Sequence, residues 1–175
     1  PMTTPCATVR PISGFINYTE AENAAFDRCF CALEAAFRAH GFVRLFPRPF
    51  ELREVLLAKG GIQKQVFGVS RLPGDAPTDL ALPFDRTVPL AAWVAQRVTE
   101  VAFPYKRFDI SYSYRGERAQ AGRFQGFFQA DIDVIGFETL DLSADAGCIA
   151  VLYEAMQRLG FGQVRIAVSH MAFAA

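Results

Sequence analysis

Four side chains stand two residues apart between positions 127 and 133: Phe127, Gln129, Asp131 and Asp133. In a strand, that spacing lines them up on one face. A ring, an amide and two carboxylates in a row would suit a cleft floor, with the ring stacking a flat ligand and the polar groups hydrogen-bonding it. The same row is compatible with a solvated outer face, although paired carboxylates repel and strands disfavour aspartate. Just upstream, Arg115, Arg118 and Arg123 surround a turn, and residues 104–123 carry five basic side chains against two acidic ones. Such a cluster is either an exposed basic turn or a phosphate-binding lip, because planar guanidinium groups match phosphate oxygens in pairs.

The elements needed to position these groups follow from periodicity. Phe108, Ile110, Tyr112 and Tyr114 alternate with Arg107, Asp109, Ser111, Ser113 and Arg115, which predicts a half-buried strand. After a polar turn over Gly116–Gly122, Phe124–Ile135 alternates as well, with Phe128, Ala130, Ile132 and Val134 opposite the polar row. The two strands read as an antiparallel hairpin. Upstream, Phe26, Phe30, Leu33 and Phe37 form one stripe of a helix over Glu20–His40, capped by Thr19 with Glu22 and stopped at Gly41. Phe42–Phe46 predicts a short strand, Glu51–Ala58 a short helix, Gln65–Val69 and Asp79–Leu82 brief strands. A helix begins near Pro89 with Leu90, Val94 and Val98 as its apolar line and Thr87 as its cap. Leu142–Leu159 reads as a last helix and Val164–Val168 as a final strand. This order favours an α+β fold, an antiparallel β-sheet flanked by helices, over a doubly wound parallel sheet.

Whole-chain properties exclude several classes. The 175 residues suffice for one domain with a real core, and 51% hydrophobic against 21% charged residues excludes a disordered chain. Eighteen basic residues balance eighteen acidic ones, so no global field draws the chain to nucleic acid or anionic lipid. No apolar run reaches the ~20 residues of a membrane span, and the start Pro1-Met2-Thr3 lacks the pattern of a secretory leader. A cytoplasmic location with reduced thiols is expected. Cys29 and Cys31 point to different sides of a helix and no Cys-x-x-Cys pair exists, so no metal site is expected. Phe supplies 17 of the aromatic residues, which implies a dense core or one apolar interface.

The hairpin carries a specific resemblance. Tyr114-Arg115-Gly116-Glu117, Gly122-Arg123-Phe124 and Phe127 to Gly136 resemble motif 2 of class II aminoacyl-tRNA synthetases in the histidyl-tRNA synthetase form. Phe84-Asp85-Arg86-Thr87-Val88-Pro89-Leu90 resembles that family's histidine-binding segment, and Gly41 to Leu57 its motif 1 region. The resemblance implies a class II synthetase-like core over residues 15–175, ending before motif 3, behind a tail at 1–14. It implies ATP as substrate with Mg2+, and no prosthetic group. Arg115 would bind the α-phosphate as the catalytic residue, with Glu117 near adenine, Arg123 toward the γ-phosphate and Phe127 stacked on the base. Asp85, Thr87 and Gln129 would hold the α-amino end of histidine, and Asp133 would receive the imidazole. The implied activity is that of a histidine–tRNA ligase, forming histidyl-adenylate for transfer to tRNA, with tRNA bound only if downstream domains exist. A homodimer through the Phe-striped helix is also implied.

The pattern departs from the family at Pro83, Ala92, Gln125-Gly126 and Met171, where arginines are usual, and at Arg48, where motif 1 has its proline. Those losses, with the missing motif 3, imply weak activity at this length. They also keep a second expectation open: a non-catalytic histidine-binding paralogue resembling the regulatory subunit of ATP phosphoribosyltransferase.

Overall fold

The computed structural model describes residues 10–58, 60, 65–72 and 79–169. Its elements are α1 (Glu20–Ala39), β1 (Val43–Arg44), β2 (Glu51–Leu52), α2 (Arg53–Leu57), β3 (Leu80–Ala81), α3 (Thr87–Ala95), β4 (Tyr105–Tyr114), β5 (Gly126–Ile135) and α4 (Ser143–Arg158). Strands β4 and β5 form the predicted antiparallel hairpin, in register from Tyr105 opposite Ile135 to Tyr114 opposite Gly126. Short β1 adds to β4 in parallel, giving the order β1-β4-β5, while β2 and β3 make a separate antiparallel pair.

Helix α1 begins as its sequence dictates. Thr19 Oγ1 accepts from the Glu22 amide, and the Glu22 carboxylate accepts from the Thr19 amide at 2.8 Å, a reciprocal capping box. Its end is made by Gly41 at φ +79°, a conformation that side chains with a Cβ resist. Leu33, Ala36 and Phe37 of α1 then pack with Val151 and Ala155 of α4 onto Phe108 and Ile110 of β4. Phe26 and Phe30 stack on Phe128 of β5, with ring centroids 5.3 and 4.9 Å apart. Leu33 and Phe37 of the stripe are thus buried against the sheet, while Phe26 and Phe30 lie half-buried over Phe128. Phe37, Phe42, Phe84 and Phe108 are buried, while Phe46, Phe50, Phe124, Phe128, Phe137 and Phe161 are exposed, so the phenylalanines divide between core and surface.

The polar face of the hairpin departs from expectation. A half-buried strand would leave Arg107, Asp109 and Ser113 in water, but all three are buried, at 1%, 0% and 0% exposure. The cause is a second, smaller layer over that face. Leu56, Ala81 and Phe84 form its core, with Val66 and Val88 against them. Tyr114 donates its amide to the Pro83 carbonyl at 3.0 Å, which fixes the 83–87 segment beside β4. Arg86, itself 3% exposed, puts Nε 2.7 Å from Asp109 Oδ2.

Other expectations need correction. Thr87 is the first residue of α3 rather than its cap; the Val88 amide donates to Asp85 Oδ1 at 3.0 Å, so Asp85 satisfies the helix start. Val98 lies beyond the end of α3 and is exposed. Among residues 65–69 only Gly68 bridges to Ala81, and Val164–Val168 forms no strand, since a strand exists only where a neighbour takes its backbone groups. Phe42–Phe46 contracts to two paired residues ahead of Pro47. The expected stop at Gly60-Gly61 and the turn through residues 73–77 lie largely outside the described residues.

Removing one partner of the buried Arg86–Asp109 pair strands the other charge. Arg86→Ala or Asp109→Ala should cost about 3–5 kcal/mol in urea unfolding. The double replacement Arg86→Met with Asp109→Leu should cost clearly less than either single change, because no orphan charge remains.

Candidate active site

The hairpin register builds the site floor. Arg107 faces Asp133, Asp109 faces Asp131, Ser111 faces Gln129 and Ser113 faces Phe127. Arg107 Nη2 lies 2.7 Å from Asp133 Oδ2 and donates to the Arg86 carbonyl at 3.0 Å. One guanidinium thus ties the floor to the 83–87 segment. Asp109 Oδ2 accepts from Arg86 and from the Ser111 hydroxyl, both at 2.7 Å. Gln129 donates its amide nitrogen to both oxygens of Asp131, at 3.1 and 3.0 Å. Asp109 Oδ1, Ser113 Oγ, Gln129 Oε1 and Arg107 Nε remain buried without hydrogen-bond partners. Asp133 Oδ2 is also buried and meets Arg107 closely without hydrogen-bond alignment. Buried polar atoms left open in this number mark a surface arranged for something other than its own folding.

The electrostatics agree. Burial pushes the Asp131 carboxyl above its usual range, and the charges of Asp109 and Asp85 add to that rise against the pull of the Gln129 amide and Arg107. Burial likewise raises Asp133, with Asp131, Asp85 and Asp109 raising it further and Arg107 opposing. Four carboxylates share this neighbourhood with two guanidinium groups, Arg86 and Arg107. The excess is negative.

At the other end of the hairpin, Arg115 Nε donates to the Phe84 carbonyl at 3.1 Å and the guanidinium carbon sits 5.0 Å from the centroid of the Phe127 ring. Glu117 and Arg123 pair with each other at 3.1 Å across the turn, with Arg123 largely exposed. The turn is anchored from below: the amides of Gln125 and Gly126 both donate to the Gly14 carbonyl, at 2.8 and 3.1 Å. Gly14, at φ +80°, has no room for a Cβ, which would meet the Gln125 side chain at 2.7 Å; a Cβ on Gly126 would strike Phe15 and Tyr112 at 2.6 Å. The Gln125-Gly126 departure thus has a local physical reason in close packing.

All eight expected residues fall on or beside this polar face. Asp133 pairs with Arg107 and feels the charge of Asp85, and Gln129 holds Asp131 on the same face. Thr87 shares a groove of about 390 Å3 with Asp133 and α3, and Arg115, Glu117, Arg123 and Phe127 line the turn end. A separate hollow of about 500 Å3, walled by Phe42, Phe103, Lys106, Phe137 and Cys148, holds none of them. Sequence reasoning missed Arg86, Arg107 and Asp109 as parts of the site. Charged residues facing charged residues in a hairpin are a signal only once the register is known. Among the described residues no group of three or more His, Cys, Asp or Glu is placed to hold a metal ion.

The chain matches the family model described as histidyl-tRNA synthetase over residues 14–175. It belongs to the histidyl-tRNA synthetase family. A histidine–tRNA ligase of Clostridium tetani is 36% identical over 161 residues, covering 91% of this chain and 36% of the relative. The histidyl-tRNA synthetase from Nostoc sp. PCC 7120 superposes with a TM-score of 0.74 at 32% identity, over 85% of this chain and 34% of that one. A Bacillus halodurans C protein described as an ATP phosphoribosyltransferase regulatory subunit/histidyl-tRNA synthetase gives 0.75 at 24% identity, over 91% and 40%, a likeness of fold alone. The α+β fold is thus that of a class II synthetase core, and the chain spans about a third of the length of the curated relatives it matches. Among the described residues no helix is long and apolar enough to cross a membrane.

The raised carboxyls have a consequence for stability. Their native pKa values lie above the ordinary 3.8, so the folded protein holds these protons more tightly than the unfolded chain. Their contribution is therefore fully present in acid and is lost as pH rises through the native values. Asp131→Asn should raise Tm at pH 7 and lose that advantage below about pH 3, where aspartate is protonated in both states. A lower Tm at pH 7 would mean that the charge is net stabilising.

Proposed function

We propose that the protein of which this chain is part activates histidine with ATP, forming histidyl-adenylate and pyrophosphate for transfer to tRNA. The observation that carries the proposal is the joint placement of Asp85, Gln129 and Asp133 around a buried negative cluster, with Arg115 and Phe127 at the other end of the same floor. The negative excess favours the α-ammonium group, held by Asp85, Thr87 and the open oxygen of Gln129. Asp133, kept ionised in part by Arg107, accepts the imidazole N–H. A rigid buried acceptor rejects ligands that lack a donor, because leaving it unpaired costs about 1–3 kcal/mol.

The histidine carboxylate then attacks the α-phosphate, where charge grows on the phosphoryl oxygens in the transition state. Arg115 supplies the fixed positive group. Its side chain holds one hydrogen bond among the described residues and lies over the ring that would stack adenine. The base therefore takes that face of Phe127 as Arg115 turns toward the phosphate. Glu117 and Arg123 release each other in the same event, Arg123 moving to the γ-phosphate and Glu117 to the base. Mg2+ arrives with the nucleotide as part of the substrate. Dimerisation would use the exposed Val43, Phe46 and Phe50, since Leu33 and Phe37 of the α1 stripe are buried against the sheet. A cytoplasmic setting suits an enzyme whose acceptor is tRNA.

A second reading, histidine binding without charging, is favoured by Pro83 and Gln125 standing where the family has arginines. Calorimetry separates the two, since that reading requires histidine binding without ATP binding.

The decisive measurement is ATP–pyrophosphate exchange by the complete protein. Exchange should depend on histidine and on no other amino acid, and Arg115→Ala should lower its rate about 10²–10³-fold. Exchange that ignores histidine, or none at all, would overturn the proposal.

A further inference from the structure

We infer that Asp131 is a positioning residue that locks the Gln129 amide with its oxygen outward, reserving that oxygen for the ammonium group of the substrate. The inference rests on the histidine-activating reading above. An ionised carboxylate accepts hydrogen bonds and donates none. Both Asp131 oxygens lie within 3.1 Å of Gln129 Nε2. Turning the amide over would set its oxygen against a carboxylate, acceptor to acceptor, so one orientation is chosen.

That choice leaves Gln129 Oε1 buried and without a partner. The neighbouring strand does not supply one. Ser111 stands opposite Gln129 in register, but its hydroxyl donates to Asp109 at 2.7 Å. The guanidinium groups of the floor do not reach it: Arg107 Nη2 serves Asp133 and the Arg86 carbonyl, Arg107 Nε has no partner, and Arg86 Nε serves Asp109. The oxygen awaits a donor from outside the chain. An ammonium group brings three donors and a charge matched to the surrounding Asp85, Asp109, Asp131 and Asp133. Asp131 itself has both oxygens engaged, so it acts through Gln129 and not by touching the ligand.

Asp131→Asn keeps the shape but removes the lock, because an asparagine can face either end of the Gln129 amide. In pyrophosphate exchange by the complete protein, the variant should raise the histidine KM about 10- to 100-fold with kcat little changed. The double variant Asp131→Asn with Gln129→Glu should recover most of that loss. There the new amide at position 131 donates to one oxygen of the new carboxylate at position 129 and leaves the other oxygen as acceptor. A histidine KM unmoved by Asp131→Asn, or a loss confined to kcat, overturns the inference and leaves the histidine reading intact.

Side-chain amide NMR tests the lock without ligand. The Gln129 NH2 pair should be shifted and protected in the wild type and solvent-like in Asp131→Asn. A solvent-like pair in a wild type that uses histidine overturns the lock. A locked pair in a protein that takes no histidine overturns both the substrate reading and the assignment of the oxygen to an ammonium group.

Discussion

Two arginines buried among four carboxylates hold the polar face of the hairpin in place. Arg86 reaches down from the 83–87 segment to Asp109, and Arg107 reaches up from β4 to the Arg86 carbonyl while facing Asp133 across the ladder. Each link crosses between the sheet and the layer above it. Without them the acids of this face would repel with no cation between them, Asp109 standing directly opposite Asp131. With them, it becomes a floor whose geometry is fixed before any ligand arrives. Burying such charges is expensive, and a hydrophobic replacement of equal volume would often be as stable or more so. The network is therefore explained by what it presents to a ligand better than by what it adds to stability.

How much of this was legible in the chain depends on which force decided each element. The capping box at Thr19 and Glu22, the stop at Gly41 and the β4–β5 alternation are local signals, and the structure follows them. The row Phe127, Gln129, Asp131, Asp133 was visible as a row, but whether it met water or a second layer depended on where residues 80–95 fold back. That return is long-range, and no periodicity reports it. For the same reason Arg107 and Asp109 looked like the wet side of a half-buried strand, though both are buried. Thr87 looked like a cap because its type is right; Asp85, two residues earlier and also of a capping type, took the role. The segment 164–168 has strand composition, yet composition supplies no partner.

The family resemblance named candidate residues but said nothing of how they are wired together. Asp85, Gln129 and Asp133 came from matching motifs, whereas Arg86 and Asp109 are intelligible only as a pair in contact. Gln125-Gly126 stood out as a departure, and packing accounts for it. Gly126 leaves space for Phe15 and Tyr112, and the Gln125 side chain donates to the Glu117 carbonyl at 2.7 Å, closing the turn.

The two ends of the floor differ in how firmly they are held, and that difference bears on their division of labour. At the Asp133 end the pairs are buried, where breaking one leaves an uncompensated charge. At the turn end, Glu117 pairs with a largely exposed Arg123, solvent-screened and worth about 0–1 kcal/mol, and Arg115 rests on Phe127 through a cation–π contact. Opening those contacts costs little, so under the proposed activity a nucleotide would displace them and recruit the released arginines. The buried end has no comparable freedom to adapt to a wrong amino acid. Under the proposed activity, selection among amino acids would fall to the rigid half of the floor and the nucleotide to the half that can move.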